Sequence, residues 1–174
     1  MVLVVVATRA EAAFVPSGMR LVVTGLGKTA AAVATTRAIL EERPSRVVNV
    51  GSAGALRDGL QGLFEVGTVV NHDMNADAVR ALGFDPEERL EIDGGNDTVL
   101  ASGDVFVTDP EVRAALARRA HLVDMEGYAV AYACRRMGVA VRLVKHVSDN
   151  ADASALDWPA LVDRSARVLG DWLR

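Results

Sequence analysis

Several features that define common protein classes are scarce or absent in this sequence. The one cysteine, Cys134, cannot form an internal disulfide and so suits a reducing compartment. The opening apolar run, VLVVVA, is too short for a secretory signal or a membrane span, so we expect a cytoplasmic protein. The net charge of -4 offers no basic surface to nucleic acid or to an anionic membrane. His72, His121 and His146 lack metal-site spacing, so no metal or organic cofactor is expected.

What the sequence does contain is a regular alternation of short β-branched runs and longer helical stretches. Apolar residues make up 51% of the 174 residues, enough for one domain with a real core. Strands are predicted at 2–7, 20–25, 46–51, 66–71, 99–106, 120–124 and 139–147, and helices at 28–42, 110–119, 126–137 and 157–173. The polar segment 73–98 reads as a loop with little regular structure. We therefore predict one domain over 1–174, a three-layer α/β/α fold around a central mixed sheet.

Two glycine-containing turns follow predicted strands. In VVNVGSAGAL, Gly51 and Gly54 allow close approach of the backbone, and Ser52 offers a hydroxyl and an N–H group to an anion or a sugar hydroxyl. Such a turn is as often structural as functional. The segment GLGKTAAA lacks the spacing of a phosphate loop or a dinucleotide-binding turn. It is interpreted as a tight turn that starts the helix at 28–42.

Acidic residues stand where two predicted strands end. Glu126 follows the strand 120–124, and Asp149 follows the strand 139–147. In open α/β sheets, ligands bind beyond the carboxyl ends of strands, which favours a site here. Helix capping is the alternative, and it is the better explanation for Asp124 and Asp152. For His146, a structural role is favoured over one that supports the site.

The motifs GSAG, SGDVF, DMEG and HVSDNAD, in this order, resemble the nucleoside phosphorylase and nucleosidase superfamily. Among its branches the sequence is most similar to the 5′-methylthioadenosine/S-adenosylhomocysteine nucleosidases. The resemblance implies that Glu126 accepts hydrogen bonds from the ribose hydroxyls, as an acceptor-only carboxylate can. It also implies that Asp149 protonates N7 of the departing purine and that Ser148 orients the carboxyl of Asp149.

The same resemblance assigns further contacts to a purine nucleoside. Phe106 would stack on the base, the backbone around Val107 would read the edge of the base, and Met125 would pack under the ribose. Ser52 of the glycine turn would also contact the substrate. Glu11, in ATRAEAAF, would activate the attacking water, although by itself the octet would suggest an exposed residue in a first helical turn. Members of the family are dimers or larger, so a homodimer is expected.

Whether water or phosphate attacks the sugar is the main alternative. The phosphorylase pattern has an arginine two residues before the glycine of the Gly-Ser turn, where this sequence has Asn49. Arg9 could still help to hold phosphate, whereas Glu11 would repel phosphate and suit water. Hydrolysis is favoured, with a phosphorylase and a nucleoside-binding protein without turnover as alternatives.

The sequence also departs from the nucleosidase pattern. The segments 12–24 and 73–98 are shorter than in the family, and the second normally shapes the pocket for the 5′ substituent. Tyr128 replaces a small residue after the ME motif, and Lys145 replaces an arginine before the SD motif. The sequence therefore does not determine which 5′ substituent of the nucleoside is preferred.

Overall fold

The computed structural model describes all residues from 1 to 174. The strands are β1 (Val2–Val6), β2 (Arg20–Val23), β3 (Arg46–Ala55), β4 (Leu63–Asn71), β5 (Arg89–Glu91), β6 (Thr98–Ser102), β7 (Leu122–Asp124) and β8 (Ala140–Asp149). The helices are α1 (Lys28–Glu42), α2 (Ala76–Ala81), α3 (Pro110–Ala117), α4 (Gly127–Met137) and α5 (Trp158–Trp172), and a 3₁₀ turn covers Ala153–Asp157. None of these helices has the length and the apolar composition of a membrane span.

All eight strands join one mixed sheet, and five of them close into a ring. Strand β3 pairs in parallel with β8, β8 pairs antiparallel with β4, and β4 pairs in parallel with β6. The ring closes because β6 pairs with β7, and β7 meets the carboxyl end of β3 at Gly54 and Ala55. Strands β1 and β2 extend the sheet beyond β3. The ends of β1, β3 and β8 therefore lie at one edge, where β7 also ends.

Helices cover both faces of this sheet, which confirms the predicted three-layer α/β/α fold. Along β1, Leu3 and Val5 pack in a cluster with residues of α1 and α4, whereas Val4 and Val6 pack in a cluster with Leu169 of α5. Successive side chains of a strand point to opposite faces, so a run such as VLVVV fits a strand that is buried on both sides. Each fully buried valine or leucine stabilises the fold by roughly 1.5–3 kcal/mol.

Three predicted boundaries were wrong in ways that concern the site. The strand predicted at 99–106 ends at Ser102, so Phe106 lies in a loop. Strand β3 does not stop at the glycine turn but continues through it to Ala55, and β8 continues to Asp149. Strand β3 has glycine at position 51 because two side chains approach its backbone closely there. A Cβ atom at Gly51 would lie 3.2 Å from Oε1 of Glu11 and 3.3 Å from Nζ of Lys145.

The segment 73–98 was predicted to be a loop, and this was also wrong. It contains α2, whose first turn is capped by the side chain of Asn75, and β5, which pairs antiparallel with β4 and buries Leu90. The departure at Tyr128 is explained here, because its hydroxyl donates to the backbone carbonyl of Glu87 and its ring packs with Leu90 in the core. Tyr128 therefore anchors the shortened segment and does not line the candidate site.

Candidate active site

A cavity of about 390 Å³ lies at the edge where β1, β3, β7 and β8 end. All eight residues for which the sequence predicts a role line it, namely Glu11, Ser52, Phe106, Val107, Met125, Glu126, Ser148 and Asp149. They come from five separate stretches of the chain, which the sheet topology brings together. The cavity is large enough for a drug-sized or nucleoside-sized ligand.

Glu11 is buried and held on both carboxylate oxygens. Its Oε1 accepts hydrogen bonds from the backbone N–H of Ser52 at 2.8 Å and from the Ser52 hydroxyl at 2.9 Å. Its Oε2 accepts from the backbone N–H and the hydroxyl of Thr8, both at 3.1 Å. The residue is 4% exposed and lies in a turn after β1, so the alternative of an exposed first-turn helix residue is wrong.

Asp149, at the end of β8, is held by its neighbours in sequence. The Ser148 hydroxyl donates to Oδ2 at 2.6 Å, and the backbone N–H of Ala151 donates to Oδ1 at 2.8 Å. A Cβ atom at Gly54 would lie 3.0 Å from Oδ1 of Asp149 and 2.9 Å from Cβ of Ala151. The second glycine of GSAG is thus required for the carboxyl of Asp149 to reach the cavity.

Glu126 is 7% exposed and has one free oxygen. Its Oε1 accepts a hydrogen bond from the backbone N–H of Gly27 at 2.8 Å, while its Oε2 has no protein donor. Burial and the neighbouring carboxylate of Asp124 raise the pKa of Glu126 to about 7, against the opposing effects of the Gly27 N–H and Lys145. The GLGK turn, with Gly27 at φ 88°, therefore serves as the donor that orients Glu126.

A buried ion pair lies beneath these carboxylates. The ammonium of Lys145, 2% exposed, donates to Oδ2 of Asp124 and to Oδ1 of Asn49, each at 2.8 Å. Burial alone would lower the pKa of Lys145, but the carboxylates of Asp124, Glu126 and Glu11 together raise it above its ordinary value, with the largest share from Asp124. Asp124 also accepts the backbone N–H of Gly127 at 2.8 Å, at the start of α4. The capping interpretation of Asp124 is therefore correct but incomplete, since the ion pair was missed.

Apolar side chains also line the cavity, and part of this apolar lining was not predicted from the sequence. Leu156, Trp158 and Pro159, just after the HVSDNAD motif, line the cavity together with Phe106. The indole N–H of Trp158 donates to the Ser52 hydroxyl oxygen at 2.8 Å. The position of Trp158, shortly after the strand that ends with Asp149, was the feature of the sequence that could have indicated its place in the cavity.

Other predicted residues have structural partners. Nδ1 of His146 lies 2.8 Å from the Ser165 hydroxyl, and His146 is 5% exposed, which agrees with the structural interpretation. Asp152 caps the 3₁₀ turn by accepting the N–H and the hydroxyl of Ser154. Cys134 is fully buried in the core between α1 and α4. None of these side chains belongs to the lining of the cavity.

Comparisons with known proteins agree with this geometry. The family model of the phosphorylase superfamily matches residues 17–93 and 95–169. An aminodeoxyfutalosine nucleosidase of Helicobacter pylori is 30% identical over 173 residues, covering 86% of this chain and 75% of the relative. A 5′-methylthioadenosine/S-adenosylhomocysteine nucleosidase of Shewanella putrefaciens is 29% identical over 168 residues, covering 78% and 71%.

Solved structures show the same similarity. A crystal structure of the Helicobacter pylori 5′-methylthioadenosine/S-adenosylhomocysteine nucleosidase, in complex with a substituted pyrrolidinol, superposes with a TM-score of 0.88 and 25% identity. That superposition covers 99% of this chain and 95% of the other. The native futalosine hydrolase of Helicobacter pylori gives a TM-score of 0.86 at 25% identity, covering 99% and 94%. The chain belongs to the phosphorylase superfamily.

Proposed function

We propose that the protein is a purine nucleosidase that hydrolyses the N-glycosidic bond of a 5′-modified adenine or purine nucleoside. Candidate substrates are methylthioadenosine, S-adenosylhomocysteine and the futalosine-type nucleosides, on which its relatives are named as acting. The observation that carries the proposal is the position of Glu11. Its carboxylate already occupies the backbone N–H and the hydroxyl of Ser52, the donors that the glycine turn would otherwise offer to an anion.

The rest of the cavity supports a purine nucleoside as the ligand. The free Oε2 of Glu126 can accept a hydrogen bond from a ribose hydroxyl, and Met125, which also lines the cavity, can pack under the sugar. The half-exposed ring of Phe106 can stack on the base, with the backbone around Val107 at the base edge. Asp149, oriented by Ser148, can then reach N7 of the purine.

The reaction that follows from these positions has three coupled changes. The oxygen of water forms a bond to C1′, and its proton passes to Glu11. The bond between C1′ and N9 breaks, and its electron pair stays with the purine. Asp149 donates a proton to N7, so that the base leaves as a neutral molecule. A positioned general acid or base contributes roughly 10²–10⁴-fold to such a reaction.

A phosphorylase receives less support from the structure. Its dianionic substrate needs arginine or lysine, but the lining of the cavity contains neither. Arg9 is exposed and does not line the cavity. Asn49 accepts a hydrogen bond from the buried ammonium of Lys145 and so cannot replace an arginine that binds phosphate.

We also propose that 1–174 acts as one cytoplasmic domain that forms a homodimer. An apolar stripe on α1 and the turn before it consists of Leu26, Val33 and Leu40, at seven-residue spacing and 60–65% exposed. Leu26 also lines the cavity, so a second copy that covers the stripe would close the cavity as well. Sedimentation velocity should show a dimer, and a monomer that is fully active at nanomolar concentration would contradict this.

The decisive experiment is incubation with methylthioadenosine, S-adenosylhomocysteine, aminodeoxyfutalosine, inosine and adenosine, each with and without phosphate. Release of free base without phosphate is the expected result. Strict dependence on phosphate would instead show a phosphorylase, and tight binding without turnover would show a nucleoside-binding protein.

A further inference from the structure

We infer that Trp158 is a positioning residue for Glu11 and acts through the Ser52 hydroxyl; this inference rests on the proposed function. The indole nitrogen of Trp158 is a donor only, and it lies 2.8 Å from Oγ of Ser52. Oγ of Ser52 is therefore the acceptor in that pair. The single proton of the Ser52 hydroxyl is left for its other neighbour, Oε1 of Glu11 at 2.9 Å. The hydrogen bonds thus run in one direction, from Trp158 to Ser52 to Glu11.

This direction matters because a free hydroxyl can adopt either role. Without the indole N–H, the Ser52 hydroxyl could rotate and donate to the attacking water, which would compete with Glu11 for that water. With the indole in place, Ser52 donates to Glu11 and stabilises its ionised form, the form that can accept a proton. Chains of hydrogen bonds in a site shielded from water also strengthen one another. Trp158 therefore maintains Glu11 as the base.

Trp158 belongs to the same short segment as Asp149, so this segment contacts both the proposed acid and, through Ser52, the proposed base. Asp149 is held at Oδ1 by the N–H of Ala151, and Asp152 caps the 3₁₀ turn that leads directly to Trp158. The ten residues from 149 to 158 thus begin with the proposed acid and end with the residue that orients the proposed base. The same stretch places Leu156 on the cavity wall. A displacement of this wall would change both catalytic groups at once.

The test is Trp158→Phe, which keeps an aromatic ring in the wall but removes the N–H donor. We expect kcat to fall about three- to tenfold, the range for the loss of one hydrogen bond, with KM nearly unchanged. The acidic limb of the pH–rate profile should move to higher pH, because the ionised base loses a stabilising donor. The matched control is Trp172→Phe. Trp172 is the only other tryptophan in the chain, and it does not line the cavity.

Combining Trp158→Phe with Ser52→Ala distinguishes a role of Trp158 through the Ser52 hydroxyl from a role as an apolar residue that only lines the cavity. In a Ser52→Ala background, Trp158→Phe should have little further effect on kcat, because the intermediate hydroxyl is already absent. An equal effect in both backgrounds, a change in KM alone, or an unmoved pH profile would each overturn the inference.

The free energy of unfolding provides a readout that does not depend on activity. A double-mutant cycle between Trp158→Phe and Ser52→Ala should give a coupling energy different from zero in urea unfolding. If the wild-type protein hydrolyses no nucleoside but the coupling is present, the proposed function fails and the contact between the two side chains stands. If hydrolysis is present and the coupling is zero, the role of Trp158 fails alone.

Discussion

The floor and the rim of the cavity differ in burial, in charge and in how the chain holds them. The floor consists of Glu11, Asp124 and Glu126, supported from beneath by Lys145; all four are at most 7% exposed and fixed by hydrogen bonds or ion pairs. The rim consists of Leu26, Val105, Phe106 and Leu156, all 49–69% exposed and located in loops or turns. Asp149 lies between the two, at the end of a strand.

This difference suggests a division of tasks. A buried group with satisfied partners keeps one geometry, which proton transfer requires, whereas an exposed apolar group can adapt to different ligands. We therefore expect substitutions in the floor to act on turnover, on the pH dependence of stability or, at Glu126, on the hydrogen bonds to the ribose hydroxyls. Substitutions in the rim should act on substrate binding alone.

The largest effect should come from Glu11→Gln in the floor. The amide keeps the size of the side chain but cannot accept the proton of water, so turnover should fall by about 10³-fold. Binding of a non-hydrolysable nucleoside analogue, measured by calorimetry, should stay within a few fold of the wild type. Glu111→Gln, an exposed glutamate in α3, is the control. Near-normal turnover in Glu11→Gln would remove the proposed base.

Asp149→Asn should have the next largest effect on turnover, about 10²-fold or more, because an amide can donate to N7 but cannot deliver a proton. Binding should change little. The comparison is made with a synthetic nucleoside whose leaving group needs no protonation, and the loss of rate should largely disappear with that substrate. An equal loss with both substrates would mean that Asp149 acts through structure.

Much of this arrangement could be predicted from sequence, for a definite reason. In the sequence, Glu11, Glu126 and Asp149 each come after a predicted strand, and strands with apolar residues on both faces belong in the centre of a sheet. Since β1, β3 and β8 are parallel, their carboxyl ends meet at one edge, which accounts for Glu11 and Asp149. Strand β7 runs antiparallel to β3, so this rule does not account for Glu126.

What could not be predicted depends on register and on long-range contacts. The ion pair between Lys145 and Asp124 requires β8 and β7 to flank the end of β3, and no local spacing encodes that arrangement. The contact of Trp158 with Ser52 joins residues 106 positions apart. The segment 73–98 was misjudged because its two short elements depend on pairing with β4 and on Tyr128, not on local propensity.

Glu126→Gln tests whether the buried carboxylate of Glu126 lowers the free energy of unfolding when it is ionised. The pKa of Glu126 in the folded state, about 7, lies above its ordinary value of 4.5, so unfolding releases a proton between these values. The free energy of unfolding of the wild type should therefore fall as pH rises from about 4.5 to 7. The amide does not titrate, so the variant should lack this fall.

The measurement for Glu126→Gln is urea unfolding at pH 5 and at pH 8. The difference in the free energy of unfolding, variant minus wild type, should be larger at pH 8 than at pH 5 by up to a few kcal/mol. One pKa unit corresponds to about 1.4 kcal/mol. Its KM should rise about tenfold or more, because a neutral amide accepts hydrogen bonds from ribose hydroxyls more weakly than a carboxylate. Parallel stability curves for the two proteins would contradict the raised pKa.

The smallest change in rate, and the clearest contrast with the floor, should come from Phe106→Ala in the rim. The loss of a stacking surface should raise KM about fivefold to a hundredfold, as alanine substitutions under stacked bases do, with kcat close to that of the wild type. Because Phe106 is 49% exposed, the free energy of unfolding should change little. Phe84→Ala, at a 69% exposed phenylalanine away from the cavity, is the matched control and should leave both kinetic constants unchanged. A fall in kcat comparable to that of Asp149→Asn would show that the rim also positions the reacting groups, and the division between floor and rim would then be wrong.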